Sequence, residues 1–264
     1  KVFKEKDIVF FGKNSIIAKN FTKFFNNSSN QIISLTRQKN SDKDISCCLD
    51  QSIIEEDLNN ICSKINHFST YKDKIFILFA WSGRPRTNTL YNETWGQNEN
   101  IIINFLEICK NLNPSQIIFL SSTSLYPENQ NRNFNELDIT KPNSPYSKQK
   151  LIAEKQLKYF AKKNKVKLCI LRVSSAYGFD KRFSEQGVIN KWLYDAKKYG
   201  EIKLFNSIES KINFISFDQI TKAIEFSIRK KLDGTFNIAT QESTSLREII
   251  IEIERIVGKK LTLK

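Results

Sequence analysis

A chain of 264 residues is long enough for one large domain, or for a domain with a small appendage. With 40% hydrophobic and 27% charged residues its balance is globular, which excludes a disordered chain, and no apolar run reaches the roughly 18 residues of a membrane span. The net charge of +14 is spread over scattered lysines, with no basic helix and no regular aromatic–basic interleaving; nucleic acid is therefore not an expected partner, while a dianionic small substrate suits such a field.

The first residues, KVFKEKDIVFFG, are too short and too charged for a signal peptide and run into the first candidate strand. Strands are expected at Asp7–Phe11, Gln31–Thr36, Ile45–Leu49, Lys74–Phe79, Gln116–Ser121 and Val166–Arg172. Helical periodicity places helices between them at Ser15–Phe25, Ile53–Ile65, Glu93–Leu112 and Pro145–Lys163. IFILFA and IIFLSS are apolar throughout, as in strands covered on both faces. Repeated strand–helix–strand units imply an α/β fold with a doubly wound parallel sheet and right-handed crossovers. Ligands of such sheets sit at the carboxyl ends of the strands.

After Arg172 the pattern changes. A loop with Tyr177-Gly178 leads to a helix near Gln186–Lys198, strand-like Ile202–Phe205 and Ile212–Phe217, a helix at Asp218–Lys230, a strand at Thr235–Ala239 and a helix at Leu246–Val257. Asp218 and either Thr244 or Ser245 are the expected N-caps. The organisation read from this is a doubly wound domain over 1–173 and a smaller lobe over 174–264, partly interleaved with the sheet. No Gly/Ser linker, charge block or internal repeat interrupts the chain.

Cysteines stand at 47, 48, 62, 109 and 169, an odd number without a CxxC pair. Reduced thiols and a cytoplasmic location follow. His67 is the single histidine, so a tetrahedral zinc site has few possible ligands and no metal is expected. The sequence holds no methionine, and dropped methionines would shift some spacings by one.

Four segments carry chemistry. In VFFGKNSIIAKNF, Gly12, Ser15 and Ala18 keep the spacing of a GxxGxxG loop with only its first glycine. Small residues there let backbone approach a pyrophosphate on the helix N-terminus, which makes Gly12, Asn14, Ser15 and Ile16 candidate cofactor contacts; an ordinary strand–helix turn is the plain alternative. In LTRQ, Thr36 and Arg37 replace the carboxylate that an NAD site places on the ribose hydroxyls. A guanidinium suits a 2′-phosphate, so NADP(H) is favoured over NAD(H), against a solvated arginine. IIFLSSTSLYP delivers Ser121, Ser122, Thr123 and Ser124 to the carboxyl edge of the sheet. SPYSKQK sets Tyr146 and Lys150 four positions apart on one helix face.

Together with LCILRVSSAYG, INFISFDQITKAI and DGTFNIATQESTSLREII, these segments resemble the extended short-chain dehydrogenase/reductase family, whose members act on nucleotide sugars. The likeness covers nearly the whole chain and implies a Rossmann-type fold with a small C-terminal substrate lobe. It implies that Tyr146 is the acid/base, that Lys150 lowers its pKa and holds the nicotinamide ribose, and that Ser122 hydrogen-bonds the reacting oxygen. Ala80, Trp81, Asn98 and Val173 fall at cofactor positions of the family, with Asn98 ordering the loop near the tyrosine. Arg84 and Arg86 reach phosphate or are solvated. Substrate contacts are expected from Ser122, Thr123, Ser124, Ser175, Arg182 and Lys211. The family pattern also suggests a homodimer through the helices carrying Asn104 and Lys150, with Ile102, Phe105 and Leu157 as apolar contacts.

The departures narrow the reading. Family dehydratases carry Asp-Glu where this chain has Thr123-Ser124, so dehydration is disfavoured. Ile212 stands at the position of a diphosphate-binding arginine, with Lys211 beside it. Family members also continue past the last helix, so either the sugar lobe is small or a tail is missing. The expected activity is hydride transfer at C4 of a nucleotide-activated sugar, as a 4-ketoreductase slightly before a 4-epimerase; a dinucleotide sensor without catalysis is the alternative.

Overall fold

Phe10 and Phe11, adjacent on the first strand, show how the layers are built. Neighbouring strand side chains point to opposite faces of a sheet. Phe10 packs edge-on to Phe21 with ring centroids 5.4 Å apart, and Phe11 packs edge-on to Phe105 at 4.7 Å. Each ring therefore meets a different helix, and the strand is covered on both sides. The computed structural model describes residues 6–25, 32–38, 41–83, 91–127, 133–178 and 187–264.

The first of two compact units holds Lys1–Arg172 and Thr221–Asn237. Its strands are β1 (Asp7–Phe11), β2 (Ile32–Thr36), β3 (Asp44–Ser46), β4 (Lys74–Leu78), β5 (Gln116–Ser122) and β6 (Lys167–Val173), joined by the later β11 (Gly234–Ile238). The sheet order is β11-β6-β5-β4-β1-β2-β3, and the pairs β1–β2, β1–β4, β2–β3 and β4–β5 are parallel. This is the doubly wound α/β arrangement expected from the sequence. Helix α1 (Ile16–Phe25) covers one face; α2 (Glu55–Phe68), α3 (Tyr91–Leu112) and α4 (Pro145–Asn164) contribute to the core on the other. His67 lies in the last turn of α2.

The strand order reverses between β1 and β4, the place where such sheets bind ligands. Here the chain leaving β1 and the chain leaving β4 nearly touch. Ala80 N donates to Phe11 O at 2.7 Å, and Gly12 N donates to Leu35 O at 3.1 Å. Gly12 has φ +95°, and a Cβ on it would lie 2.6 Å from Ala80 N. Both the left-handed backbone and the close approach require glycine.

The second unit holds Val173–Ile220 and Ile238–Lys264. Its strands are short: β7 (Ser175–Tyr177) runs parallel to β10 (Phe214–Ser216), β9 (Lys211–Ile212) antiparallel to β12 (Thr244–Ser245), and β8 (Glu201–Ile202) parallel to β13 (Thr262–Leu263). Trp192 of α5 (Val188–Tyr199) and Ile250 and Ile253 of α7 (Leu246–Val257) build its core with Ile202 and Phe214. The expected strand 212–217 is split at Asn213, because β9 pairs with β12 and β10 with β7, and it ends at Ser216, where α6 (Phe217–Arg229) follows. Its start is bonded by Ser216, whose Oγ accepts from Gln219 N while Gln219 Oε1 accepts from Ser216 N. Ser216, not Asp218, thus makes the capping contact. Ser245 caps α7 through a reciprocal box with Glu248.

Three residues expected at a homodimer surface are elsewhere. Ile102, Phe105 and Leu157 are buried in the core of their own chain, because they occupy the sheet-facing stripe of α3 and α4. Among the described residues, Ile103, Ile152 and Tyr159 are the large apolar side chains these helices expose.

Gly12→Ala is expected to lower unfolding stability by about 2 kcal/mol or more, because strain and a backbone clash act together. Urea denaturation followed by circular dichroism measures it, and an unchanged midpoint would contradict the close approach described here.

Candidate active site

The carboxyl end of β5 turns straight into a short 3₁₀ segment, Thr123–Leu125. Ser122 caps it, its Oγ accepting from Ser124 N at 3.2 Å. That bond uses an acceptor site only, so the Ser122 hydroxyl keeps its own proton to donate. Ser122 is buried, Thr123 and Ser124 are half-buried, and Ser124 Oγ has no hydrogen-bond partner among the described residues.

Helix α4 begins sharply. Ser144 and Ser147 form a capping box, and Pro145 takes the first helical position, where its missing N–H costs nothing. This fixed start sets Tyr146, Lys150 and Glu154 one above another at i, i+4 and i+8. Tyr146 is half-buried, and burial pushes its phenol up to about 12. The lowering expected from Lys150 does not offset this rise. The ammonium donates instead to Leu120 O at 2.7 Å, with its Nζ 5.9 Å from the Tyr146 ring centroid. It lies 4.0 Å over the Trp81 ring and 4.5 Å over Phe119. Burial holds Lys150 well below the usual range, against the opposing pull of Glu154.

Glu154 anchors the helix. It accepts from Arg172 Nε at 3.0 Å, Arg172 Nη2 at 2.7 Å and Ser121 Oγ at 2.6 Å. Arg172 Nη1 also donates to the Tyr126 hydroxyl at 2.9 Å, and that hydroxyl donates to Asn237 Oδ1 at 2.7 Å. Sequence reasoning missed Glu154, Arg172 and Tyr126. The available signal was a glutamate on the helix face that Tyr146 and Lys150 already define, and an arginine ending an otherwise apolar strand.

Of the expected cofactor residues, Gly12 and Ala80 meet at the sheet's switch point. Gly12 forms the close contact described above. Asn14 is exposed, and its Nδ2 donates to Thr36 Oγ1 at 2.9 Å. Ser15 Oγ accepts from Ala18 N at 3.1 Å and so spends itself on the start of α1, while Ile16 is buried. Ser15 and Ala18 thus serve helix initiation and packing, and the approach of the two loops rests on Gly12 and Ala80. Small residues leave backbone uncovered at this edge, beside the first turn of α1, and that surface fits a dinucleotide's pyrophosphate. Asn98 is buried on α3 and clasps the Trp81 segment. Its Oδ1 accepts from Ser82 N at 2.8 Å, and its Nδ2 donates to Ser82 O at 3.0 Å and to Gln149 Oε1 on α4. Arg37 is ion-paired with Asp50. The guanidinium taken as a 2′-phosphate ligand therefore already has a carboxylate partner, and the preference for NADP(H) loses its motive.

Val173 ends β6, Ser175 begins β7 and is exposed, and Lys211 is exposed on β9; all three belong to the second unit. Arg84, Arg86 and Arg182 lie outside the described residues. Among the described residues no group of three or more His, Cys, Asp or Glu is placed to hold a metal ion, and no helix is long and apolar enough to cross a membrane.

Two substitutions on α4 are expected to act in opposite directions. Glu154→Ala leaves Arg172 buried and unpaired and should cost about 3–5 kcal/mol. Lys150→Met removes a buried ammonium and should raise stability by about 1 kcal/mol. The sign follows from linkage: a depressed folded pKa costs stability as pH falls through it. The advantage of Lys150→Met is therefore largest at low pH and vanishes above the unfolded lysine's value of about 10.4. Denaturant midpoints at several pH values check both, and equal midpoints for the two variants would refute the electrostatic account.

The chain's likenesses agree with this geometry. Residues 8–239 match the model of the NAD dependent epimerase/dehydratase family. A dTDP-4-dehydro-6-deoxyglucose reductase of Escherichia coli is 31% identical over 150 residues, covering 56% of this chain and 48% of that protein. A UDP-glucuronate 4-epimerase of Thermodesulfobacterium geofontis is 24% identical over 209 residues, covering 77% of this chain and 63% of that protein. The chain thus spans about half to two thirds of the length of the curated relatives it matches. In fold it is similar to the UDP-N-acetylglucosamine 4-epimerase from Bacillus cereus, with a TM-score of 0.81 at 22% identity over 98% of this chain and 84% of that one. The Thermus thermophilus UDP-glucose 4-epimerase, solved with NAD, gives 0.83 at 15% identity over 98% and 85%. With a family model matched over most of its length and the same doubly wound sheet, the chain belongs to the NAD dependent epimerase/dehydratase family.

Proposed function

We propose that the protein exchanges hydride at C4 of a nucleotide-activated sugar, reducing a 4-keto group in preference to epimerising a 4-hydroxyl. The observation that carries this is the shared face of Tyr146 and Lys150 on α4, a helix that packs against β5 and the short turn capped by Ser122. A protonated phenol is the form that gives a proton to a carbonyl oxygen; taking a proton from a hydroxyl needs the phenolate. The named activity of the 31%-identical relative points the same way.

The nicotinamide, when bound, supplies the redox chemistry. The chain supplies position and protons. Ser122 donates its hydroxyl proton as a hydrogen bond to the C4 oxygen and orients it. Tyr146 transfers its phenolic proton to that oxygen as it gains charge. The phenolate left behind is stabilised by Lys150, because an ammonium nearby favours the charged form. Thr123 and Ser124 offer hydroxyls to the sugar and no carboxylate, so water elimination lacks its acid/base pair. Gly12, Asn14, Ala80 and the first turn of α1 would hold the dinucleotide. With Arg37 paired to Asp50 and the family described as NAD dependent, NAD(H) is the supported cofactor in place of the NADP(H) expected from sequence.

Calorimetry is expected to show tighter binding of NADH than of NADPH. Tyr146→Phe should keep that affinity within about twofold and lower turnover by at least 10²-fold, the usual contribution of a general acid. Equal turnover in the variant would remove the mechanism. With a protonated phenol, the rate of 4-keto reduction should stay level from about pH 6 to 9, and the reverse oxidation should rise across that interval. Stopped-flow absorbance at the reduced nicotinamide band measures both, and an oxidation rate that falls as pH rises would contradict the assignment.

A further inference from the structure

Lys150 raises a question that its partners on α4 do not answer. An ammonium has three N–H donors. One goes to Leu120 O, and no other oxygen acceptor is bonded to it among the described residues. Burial favours the neutral amine, so the charged form needs support from elsewhere. Glu154, one helical turn on, already accepts from Arg172 and Ser121. The nearest remaining surfaces against Nζ are the π faces of Trp81 at 4.0 Å and Phe119 at 4.5 Å, whose ring centroids are 5.9 Å apart, with the Tyr146 ring centroid further off at 5.9 Å.

We propose that Trp81 is a positioning residue for Lys150: its indole face, with the Phe119 ring, holds the buried ammonium charged and extended at the end of β5. The negative face of an aromatic ring attracts a cation most strongly where water is excluded, and indole is the best of the natural rings. Trp81 is itself held. Asn98 grips both backbone groups of Ser82 and ties them to Gln149, the neighbour of Lys150 on α4. The same clasp therefore sets the distance between the ring and the helix that carries the lysine. The titratable groups on the surrounding elements are Tyr146 and Glu154 on α4, Arg172 on β6 and Glu99 on α3, which lines a cavity of about 140 Å³ beside Trp81. Arg172 is neutralised by Glu154. The consequence for turnover rests on the function proposed above; the hold on the ammonium does not.

The test reads the lysine directly. Lysine labelled at Cε is titrated by NMR in the intact protein, and the Lys150 signal is assigned with Lys150→Arg. Trp81→Met, which fills space without a π face, is expected to lower the Lys150 midpoint by about one pH unit, and Trp81→Phe by less than half of that. Fluorinated tryptophan, incorporated in place of tryptophan in the unaltered chain, keeps the ring's shape and weakens its negative face. It should lower the midpoint stepwise with fluorine number, and it reads the same quantity should Trp81→Met fail to fold. A midpoint unmoved by fluorination, or Trp81→Phe equal to Trp81→Met, overturns the proposal. In turnover, Trp81→Met should lose about threefold to tenfold in kcat with little change in KM and should shift the pH profile; Trp81→Phe should restore most of it. If the midpoint moves as stated while the parent turns over no nucleotide sugar, the positioning role stands and the proposed function falls.

Discussion

The buried ion pair between Glu154 and Arg172 is the constraint on which the candidate site depends. It ties α4 to β6, and Ser121 extends the tie to β5. Removing a charge from water is costly, and the cost is met only when geometry and hydrogen bonding are complete. Here Glu154 accepts three hydrogen bonds, and Arg172 spends its remaining contact on Tyr126. A slip of α4 by one residue would turn Glu154 about 100° round the helix and leave both charges buried alone. The pair therefore fixes the register of the helix, and with it the positions of Tyr146 and Lys150 against Ser122.

The same pair explains why Lys150 turns to aromatic rings. A lysine beside a free carboxylate would form an ordinary salt bridge. This one meets a carboxylate already occupied, one carbonyl and two π faces. Burial acts on Tyr146 and Lys150 alike and favours the neutral form of each, the phenol by keeping its proton and the amine by losing it. The proposed chemistry needs the charged form of both in turn. What contacts the ammonium thus matters as much as its spacing from the tyrosine, and Asn98 and Trp81 take part in it without appearing in the Tyr-x-x-x-Lys motif.

Much of this was legible in the residues. The apolar run IIFLSS could be buried on both faces only inside a doubly wound sheet, and the helix carrying Tyr146 and Lys150 was visible from Ser144-Pro145 onward. Gly12 was also readable, since its left-handed backbone accepts little else. The misreadings share a cause. Arg37, Ile102, Phe105 and Leu157 were assigned by residue type at a position along the chain, and their partners lie far off in sequence. Asp50 is 13 residues from Arg37, and the sheet-facing stripe of α3 became visible only with the sheet in place.

The amino-acid order alone determined the layer architecture, the switch point after β1 and the shared helix face of Tyr146 and Lys150. Those follow from local periodicity and capping, which act over a few residues. Tertiary structure alone decided the charge state of the site: which carboxylate Arg172 occupies, which rings meet Lys150, and how far burial raises Tyr146. Electrostatics and desolvation depend on distances through space between β5, β6, α3 and α4, and those distances exist only once the chain has folded.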